Sequence, residues 1–239
     1  MARNALARGG LPAWQAVDSI AELGHVEKAA TQAPRPRGAP ARHKAAEQAN
    51  VPIVKYRMYL ARPHKMRLEI QVEELTAIQL FDGTRGATIT PSAQGPMVRE
   101  WPAGEAAAAA GQQDLDGPLL DAVRKGTKVR VEAVEPVLGR DSYRLALTLS
   151  NGVVRHVWVD TETFLDTKID GTRVIGDRPW PTETYFSDYR KVGSLMIPHA
   201  RETTVADAHA GERLVIDRVV VNKKYDDSFF VPPVRTAVP

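Results

Sequence analysis

The stretch KMRLEIQV at 65–72 puts Met66, Leu68, Ile70 and Val72 on one side of an extended chain and Lys65, Arg67, Glu69 and Gln71 on the other. Successive side chains of a strand point to opposite faces, so one face meets a core and the other meets water. The same period groups Val54, Tyr56, Met58 and Leu60, then Val129, Val131 and Ala133, then Tyr143, Leu145, Leu147 and Leu149. Half-buried alternation of this kind belongs to antiparallel sheets. Beyond residue 125 the chain reads as strand, turn, strand over 127–135, 141–150, 153–161, 164–175, 181–190, 195–206 and 212–223, which is a meander. Asn151-Gly152 has the composition of a two-residue type I′ hairpin, in which both residues need positive φ. Asp82-Gly83 and Asp170-Gly171 mark further tight turns.

Helix is scarce. Asp116 is placed to cap a short helix with Pro118 in its first turn and an end near Gly126. A second short helix is expected over 3–17, broken at Gly9-Gly10. Two segments, 31–48 and 102–114, read as flexible loops, although the alanine run in the latter also fits a helix. Residues 232–239 form a tail, and the whole of 1–239 is expected to be one domain. With 43% hydrophobic and 26% charged residues, the composition is that of a chain that folds.

The 32 basic residues are nearly matched by 29 acidic ones, leaving a net charge of +3. No general field for nucleic acid follows from that balance. The absence of cysteine excludes disulfides, thiolate catalysis and thiolate zinc sites. MARNALARGG lacks the apolar core of a secretion signal, and no apolar run approaches the ~20 residues that span a bilayer. Both a cytosolic protein and a mature secreted protein fit these features.

Ser187, Asp188 and His199 lie close together in TYFSDYRKVGSLMIPH. A triad needs a nucleophile at a strained turn, a base within reach and an orienting acid. Ser187 has no G-x-S-x-G elbow, and on a strand its side chain opposes that of Asp188. The six histidines form no i, i+4 pair or H-E-x-x-H pattern, and Asp160, Glu162 and Asp166 surround a turn. There is no phosphate-binding glycine motif, and no cofactor or metal is expected. Arg35, Arg37, Arg42, His43 and Lys44 make one basic patch, read as a solvated loop.

What the chain does carry is apolar material: Met58, Met66, Phe81, Met97, Trp101, Trp158, Trp180 and Met196. Methionine adapts to irregular apolar surfaces, and a strongly curved sheet can enclose an apolar ligand cavity. Several landmarks carry a family resemblance: Arg62-Pro63 before a strand, the Asp82-Gly83 turn, Val-Asp-x-x-Thr at 159–163, Ser-Asp-Tyr at 187–189 with Gly193 and Pro198-His199 after it, and Asp-Ser-Phe-Phe-x-Pro at 227–232. In these the chain resembles outer-membrane lipoprotein-sorting proteins of the LolA/LolB-like superfamily. The resemblance implies a mainly β fold: one strongly curved antiparallel sheet of eleven or so strands, forming an unclosed barrel covered by short helices. It further implies a non-enzymatic, monomeric periplasmic protein that carries or senses acyl chains of a lipid or lipoprotein, with envelope membrane proteins as further partners. The cavity-lining residues expected on this basis are Met58, Leu60, Met66, Leu68, Ile70, Phe81, Trp101, Trp158 and Met196. A hydrolase using Ser, His and Asp, and an interaction module with a filled core, are the alternative readings.

Overall fold

The computed structural model describes residues 1–28, 53–110, 114–175, 178–205 and 211–232. The expected loop at 31–48, with its basic patch, lies outside them, as does nearly all of the expected tail. Two short helices, α1 (Ala2–Ala7) and α2 (Leu11–Gln15), open the chain. Gly9 and Gly10 separate them as expected, at φ 110° and 93°, where side chains are strained.

Thirteen strands follow. The first six are β1 (Ser19–Lys28), β2 (Val54–Ala61), β3 (Lys65–Val72), β4 (Leu75–Phe81), β5 (Gly86–Thr90) and β6 (Met97–Glu100), after which comes α3 (Ala103–Ala110). The second run is β7 (Lys128–Val137), β8 (Arg140–Thr148), β9 (Val154–Asp160), β10 (Asp166–Ile175), β11 (Arg178–Val192), β12 (Leu195–Val205) and β13 (Glu212–Val221). A 3₁₀ turn at Asp227–Phe229 ends the described chain. All thirteen strands form one antiparallel sheet in the order β6-β5-β4-β3-β2-β1-β13-β12-β11-β10-β9-β8-β7. Its outermost strands, β6 and β7, do not pair with each other, so the barrel is unclosed. Two meanders are joined at the middle by β1 against β13, with Ile20 opposite Val221 and Lys28 opposite Glu212.

The alternation of KMRLEIQV is only partly kept in β3: Met66 is buried and pairs with Leu60 of β2 and Phe81 of β4, while the other seven positions, apolar and polar alike, are half-buried. In β7 it fails, because the register against β8 slips between Val131 and Ala133 and leaves Val131 62% exposed. The turn at Asp82-Gly83 forms as expected: Asp82 Oδ1 accepts from the backbone N–H of Thr84 and Arg85, and Gly83 has φ 100°.

Four local expectations are corrected. Leu149 N–H donates to the Val153 carbonyl and Gly152 N–H to the Leu149 carbonyl, so the β8–β9 loop has three residues with positive φ at Gly152 alone, not a type I′ pair. Asp170-Gly171 lies inside β10, paired with Glu183 and Thr182 of β11, and is no turn. The segment 115–126 is a succession of turns instead of a helix; Gly117 and Asp121 at φ 73° and 56° interrupt the helical path, and Asp116 accepts from the side chains of Arg62 and Lys125. The alanine run expected to be a flexible loop is largely α3.

Candidate functional site: a capped cavity on the concave face

A cavity of about 350 Å³ is bordered by residues of β2 and of β9, six strand positions apart in the sheet. In a flat sheet those strands would stand about 29 Å apart at ~4.8 Å per step, so the sheet curls around the cavity. Its apolar wall comes from Ile20 of β1, Met58 and Leu60 of β2, Val157 of β9, Ile169 of β10, Phe186 of β11 and Ile197 of β12. Across the opening lie α2 and the turns at 114–118, which add Trp14, Leu115 and Pro118. Trp14, Val17, Ile20, Leu115, Leu120, Leu195 and Ile197 form one packed cluster, so the cap rests on the sheet through apolar contact.

Polar groups fasten this cap. Arg62, at the end of β2, donates to the backbone carbonyls of Val17 and Trp14 and to Asp116 Oδ2 (2.8, 3.2 and 2.8 Å). Lys125 donates to Asp116 Oδ1 and to the Gly117 carbonyl, and Arg8 Nη1 donates to the Asp116 carbonyl. Burial pushes the Asp116 carboxyl up, but the hydrogen bonds and charges of Arg62 and Lys125 outweigh it and hold the group below its ordinary value.

The interior wall is not wholly apolar. Glu22 of β1, only 4% exposed, receives both terminal nitrogens of Arg201 from β12, across the intervening β13. Burial disfavours the Arg201 charge, yet Glu22 more than offsets this and keeps the guanidinium above its usual value. Desolvation, reinforced by Glu22, also pushes the neighbouring Tyr56 phenol well up. Arg8 stacks over Trp14 at 4.7 Å and lies 3.5 Å from Asp166, whose carboxylate also accepts from Asn4 Nδ2. Burial raises the Asp166 carboxyl above its ordinary value against the opposing pull of Arg8 and Asn4. Tyr189 donates to the Asp166 backbone carbonyl, and burial pushes its phenol well up. Arg155, also at the cavity, donates through Nε and Nη2 to the Asp170 carbonyl; burial lowers its guanidinium.

The residues expected to line a cavity are distributed among several environments. Met58 and Leu60 border it. Met66 and Phe81 pack with Ala106 of α3 in a core cluster that Leu68 and Trp101, and also Met58 and Leu60, lie against. Trp101 stacks on Phe81 at 5.9 Å and donates to Thr88 Oγ1. Ile70 is half-buried in β3 between Tyr56 and Ala77. Trp158 alternates with Val157 and Val159, which pack against Leu119, and turns the other way; its indole donates to Glu135, and Lys168 Nζ lies 3.8 Å over its ring. Met196 is half-buried, with its backbone N–H donating to the Arg8 carbonyl. Sequence reasoning missed Arg8, Glu22, Arg155, Asp166 and Arg201. Two had a visible signal, since Glu22 shares the strand face of Ile20, and Arg155 shares that of Val157 and Val159.

Ser187, Asp188 and His199 form no relay. Asp188, at φ 53°, binds Arg190 through both carboxylate oxygens, and His199 Nδ1 faces the Ile197 carbonyl at 3.0 Å. Among the described residues no group of three or more His, Asp or Glu side chains is placed to hold a metal ion.

The fold of this chain is similar to that of several solved structures. A LolA superfamily protein from Nitrosomonas europaea matches with TM-score 0.53 at 14% identity, over 90% of this chain and 91% of that one. This chain has the LolA-like fold. A domain named for outer membrane lipoprotein sorting, from Vibrio parahaemolyticus, matches with TM-score 0.52 at 10% identity, over 95% and 92% of the two chains. A DUF1329 family protein from Desulfovibrio piger matches with TM-score 0.53 at 12% identity, over 96% of each. Compared as a sequence, the chain matches no family model and no curated protein.

The LolA-like landmarks of the sequence are structural devices. Asp160 of the Val-Asp-x-x-Thr stretch accepts from the backbone N–H of Glu162 and Thr163 and from the Thr163 hydroxyl, closing the β9–β10 turn. Tyr189 of Ser-Asp-Tyr ties β11 to Asp166, and Arg62 of Arg-Pro fastens the cap. Phe229 of the closing Asp-Ser-Phe-Phe packs edge-on against Tyr59 at 5.1 Å under the Arg67 guanidinium.

Proposed function

We propose that this chain is a non-enzymatic periplasmic protein that binds acyl chains of a lipid or lipoprotein in the central cavity, carrying or sensing them, with envelope membrane proteins as further partners. The observation that carries the reading is the cavity itself, enclosed between the concave sheet face and a cap held by Arg62, Arg8 and Lys125 on Asp116. Fold similarity to a lipoprotein-sorting domain supports it. At ~30 Å³ per water-sized group the volume takes about a dozen methylenes. At ~0.8 kcal/mol each, their burial yields at most about 10 kcal/mol before ordering costs are subtracted. The separate binding of Asp188 and His199 gives the hydrolase reading no support.

The test is binding of N-phenyl-1-naphthylamine, a neutral apolar fluorophore, to the parent, to Met58→Glu inside the cavity, and to Leu138→Glu, where the side chain is 72% exposed. A buried carboxylate among apolar neighbours costs several kcal/mol, so Met58→Glu loses the signal while Leu138→Glu keeps it. Equal binding by a cooperatively melting Met58→Glu variant overturns the reading.

A further inference from the structure

Six charged side chains border the cavity: Arg8, Glu22, Asp114, Arg155, Asp166 and Arg201. Five of them have an opposite charge at hand. Arg201 holds Glu22, Arg8 lies 3.5 Å from Asp166, and Lys125 Nζ is 2.9 Å from Asp114 Oδ2. Arg155 is the exception, for among the described residues no carboxylate oxygen lies within 4.0 Å of its guanidinium. Nε and Nη2 both point at a single oxygen, the Asp170 carbonyl (3.2 and 2.8 Å), while the Asp170 carboxylate is taken by the backbone N–H and the ring of His156. The guanidinium is therefore anchored by one edge on a backbone oxygen, and among the described residues no acceptor takes its Nη1. Gly171 makes the room: a Cβ there would stand 3.2 Å from Arg155 Nη2. An arginine fixed along one edge, with no carboxylate in direct contact and only the more distant charge of Asp170 to offset its own, suits a planar carboxylate or a phosphate better than any neutral group.

We propose that Arg155 receives the anionic head of the bound amphiphile, so that the ligand is a carboxylate- or phosphate-headed lipid and not an uncharged ester. The assignment rests on the acyl-binding reading above. A half-buried arginine without a carboxylate in contact costs stability in the empty protein, and a headgroup anion supplies that direct partner while its chain follows the wall formed by Val157 and Ile169.

The experiment displaces N-phenyl-1-naphthylamine from the full chain with decanoate, decyl phosphate or decan-1-ol at pH 7.5, with acetate and inorganic phosphate as chainless anions. Decanoate or decyl phosphate is expected to bind at least about tenfold more tightly than decan-1-ol, the equivalent of one charged hydrogen bond. Arg155→Gln should shrink that ratio to under about threefold, leave decan-1-ol unchanged, and be partly rescued by Arg155→Lys. Decan-1-ol matching both anionic amphiphiles on the parent protein sinks the headgroup assignment but leaves acyl binding intact, and it does so without any variant having to fold. Displacement by acetate or inorganic phosphate alone, at the concentrations of the amphiphiles, assigns Arg155 to a free anion and likewise overturns the proposal. Failure of every amphiphile on the parent removes acyl binding itself and the headgroup site with it. An unchanged anion preference in folded Arg155→Gln places the head elsewhere.

Discussion

The Glu22–Arg201 pair bridges β1 and β12 over β13 at the cavity wall, with Glu22 buried and Arg201 half-buried. Replacing Glu22 by Gln keeps the shape and removes the charge. Arg201 cannot shed its proton, so it stays as a cation without a counter-charge in a site from which water is largely excluded. Breaking a buried pair from one side costs about 3–5 kcal/mol, a large share of the ~5–15 kcal/mol that holds an ordinary domain together. For a chain of this length each kcal/mol moves the melting temperature by roughly 2–4 °C, so Glu22→Gln is expected to melt roughly 6–20 °C below the parent. The companion variant, Glu22→Leu with Arg201→Met, removes both charges at similar volume and should return to within about 1 kcal/mol of the parent, because the desolvation cost of the pair vanishes with it. Urea unfolding followed by circular dichroism measures all three, with unchanged slopes required for comparison. A Glu22→Gln penalty under about 1 kcal/mol would refute the reasoning, as would a double variant whose loss equals the sum of the two single losses.

Three further outcomes are expected. Asp160 is held well below the ordinary carboxylate range, first by Arg140 and then by the N–H and hydroxyl groups of its turn. A depressed folded value means the stabilisation is full above the unfolded pKa near 3.8 and fades as pH falls below it; Asp160→Asn should therefore lose ~1–3 kcal/mol at pH 7, and the gap to the parent should narrow through acid titration below pH 4. Gly86→Ala would place a Cβ 1.9 Å from the Trp101 ring, which must shift off Phe81; a loss of ~1–3 kcal/mol and altered tryptophan fluorescence are expected, and an unperturbed spectrum would contradict the packing. Arg62→Leu removes three hydrogen bonds from the cap; amide exchange should quicken over 14–18 and 115–126 while β11 and β12 stay protected, and uniform exchange across all of these would show the cap not to be separately fastened.

Much of the sheet was legible because its face toward the core is apolar at every second position, as in β3 and β8. The slip at Val131 was not, since a bulge leaves composition unchanged and shows only in the pairing with β8. Asp170-Gly171 misled for a physical reason: a glycine there accommodates Thr182 and Arg155 instead of a reversal of the chain. Cavity and solid core were not separable from strand patterns. Met58 and Met66 look alike in the sequence and touch the same cluster around Ala106 of α3, yet Met66 is buried within it while Met58 also borders the cavity. Charges placed in register with valines and isoleucines, Arg155 and Glu22, were the legible clue to a polar interior, and they pass unnoticed when only apolar residues are counted.

The place of β13 beside β1 bears on the order in which the molecule comes into being. A chain made from its N-terminus completes β1 to β6 early, with one flank of β1 bare, and the seam partner is the last strand described. Until β13 arrives, Glu22 and Arg201 have no strand between them, and the concave wall lacks its midline. Pairings this distant along the chain form slowly and leave open strand edges exposed meanwhile. The nascent protein therefore passes through a stage with half a sheet, an unpaired strand edge and no closed concave wall. The central cavity is therefore the final thing to be assembled, and the bare flank of β1 is the edge that waits longest for its partner.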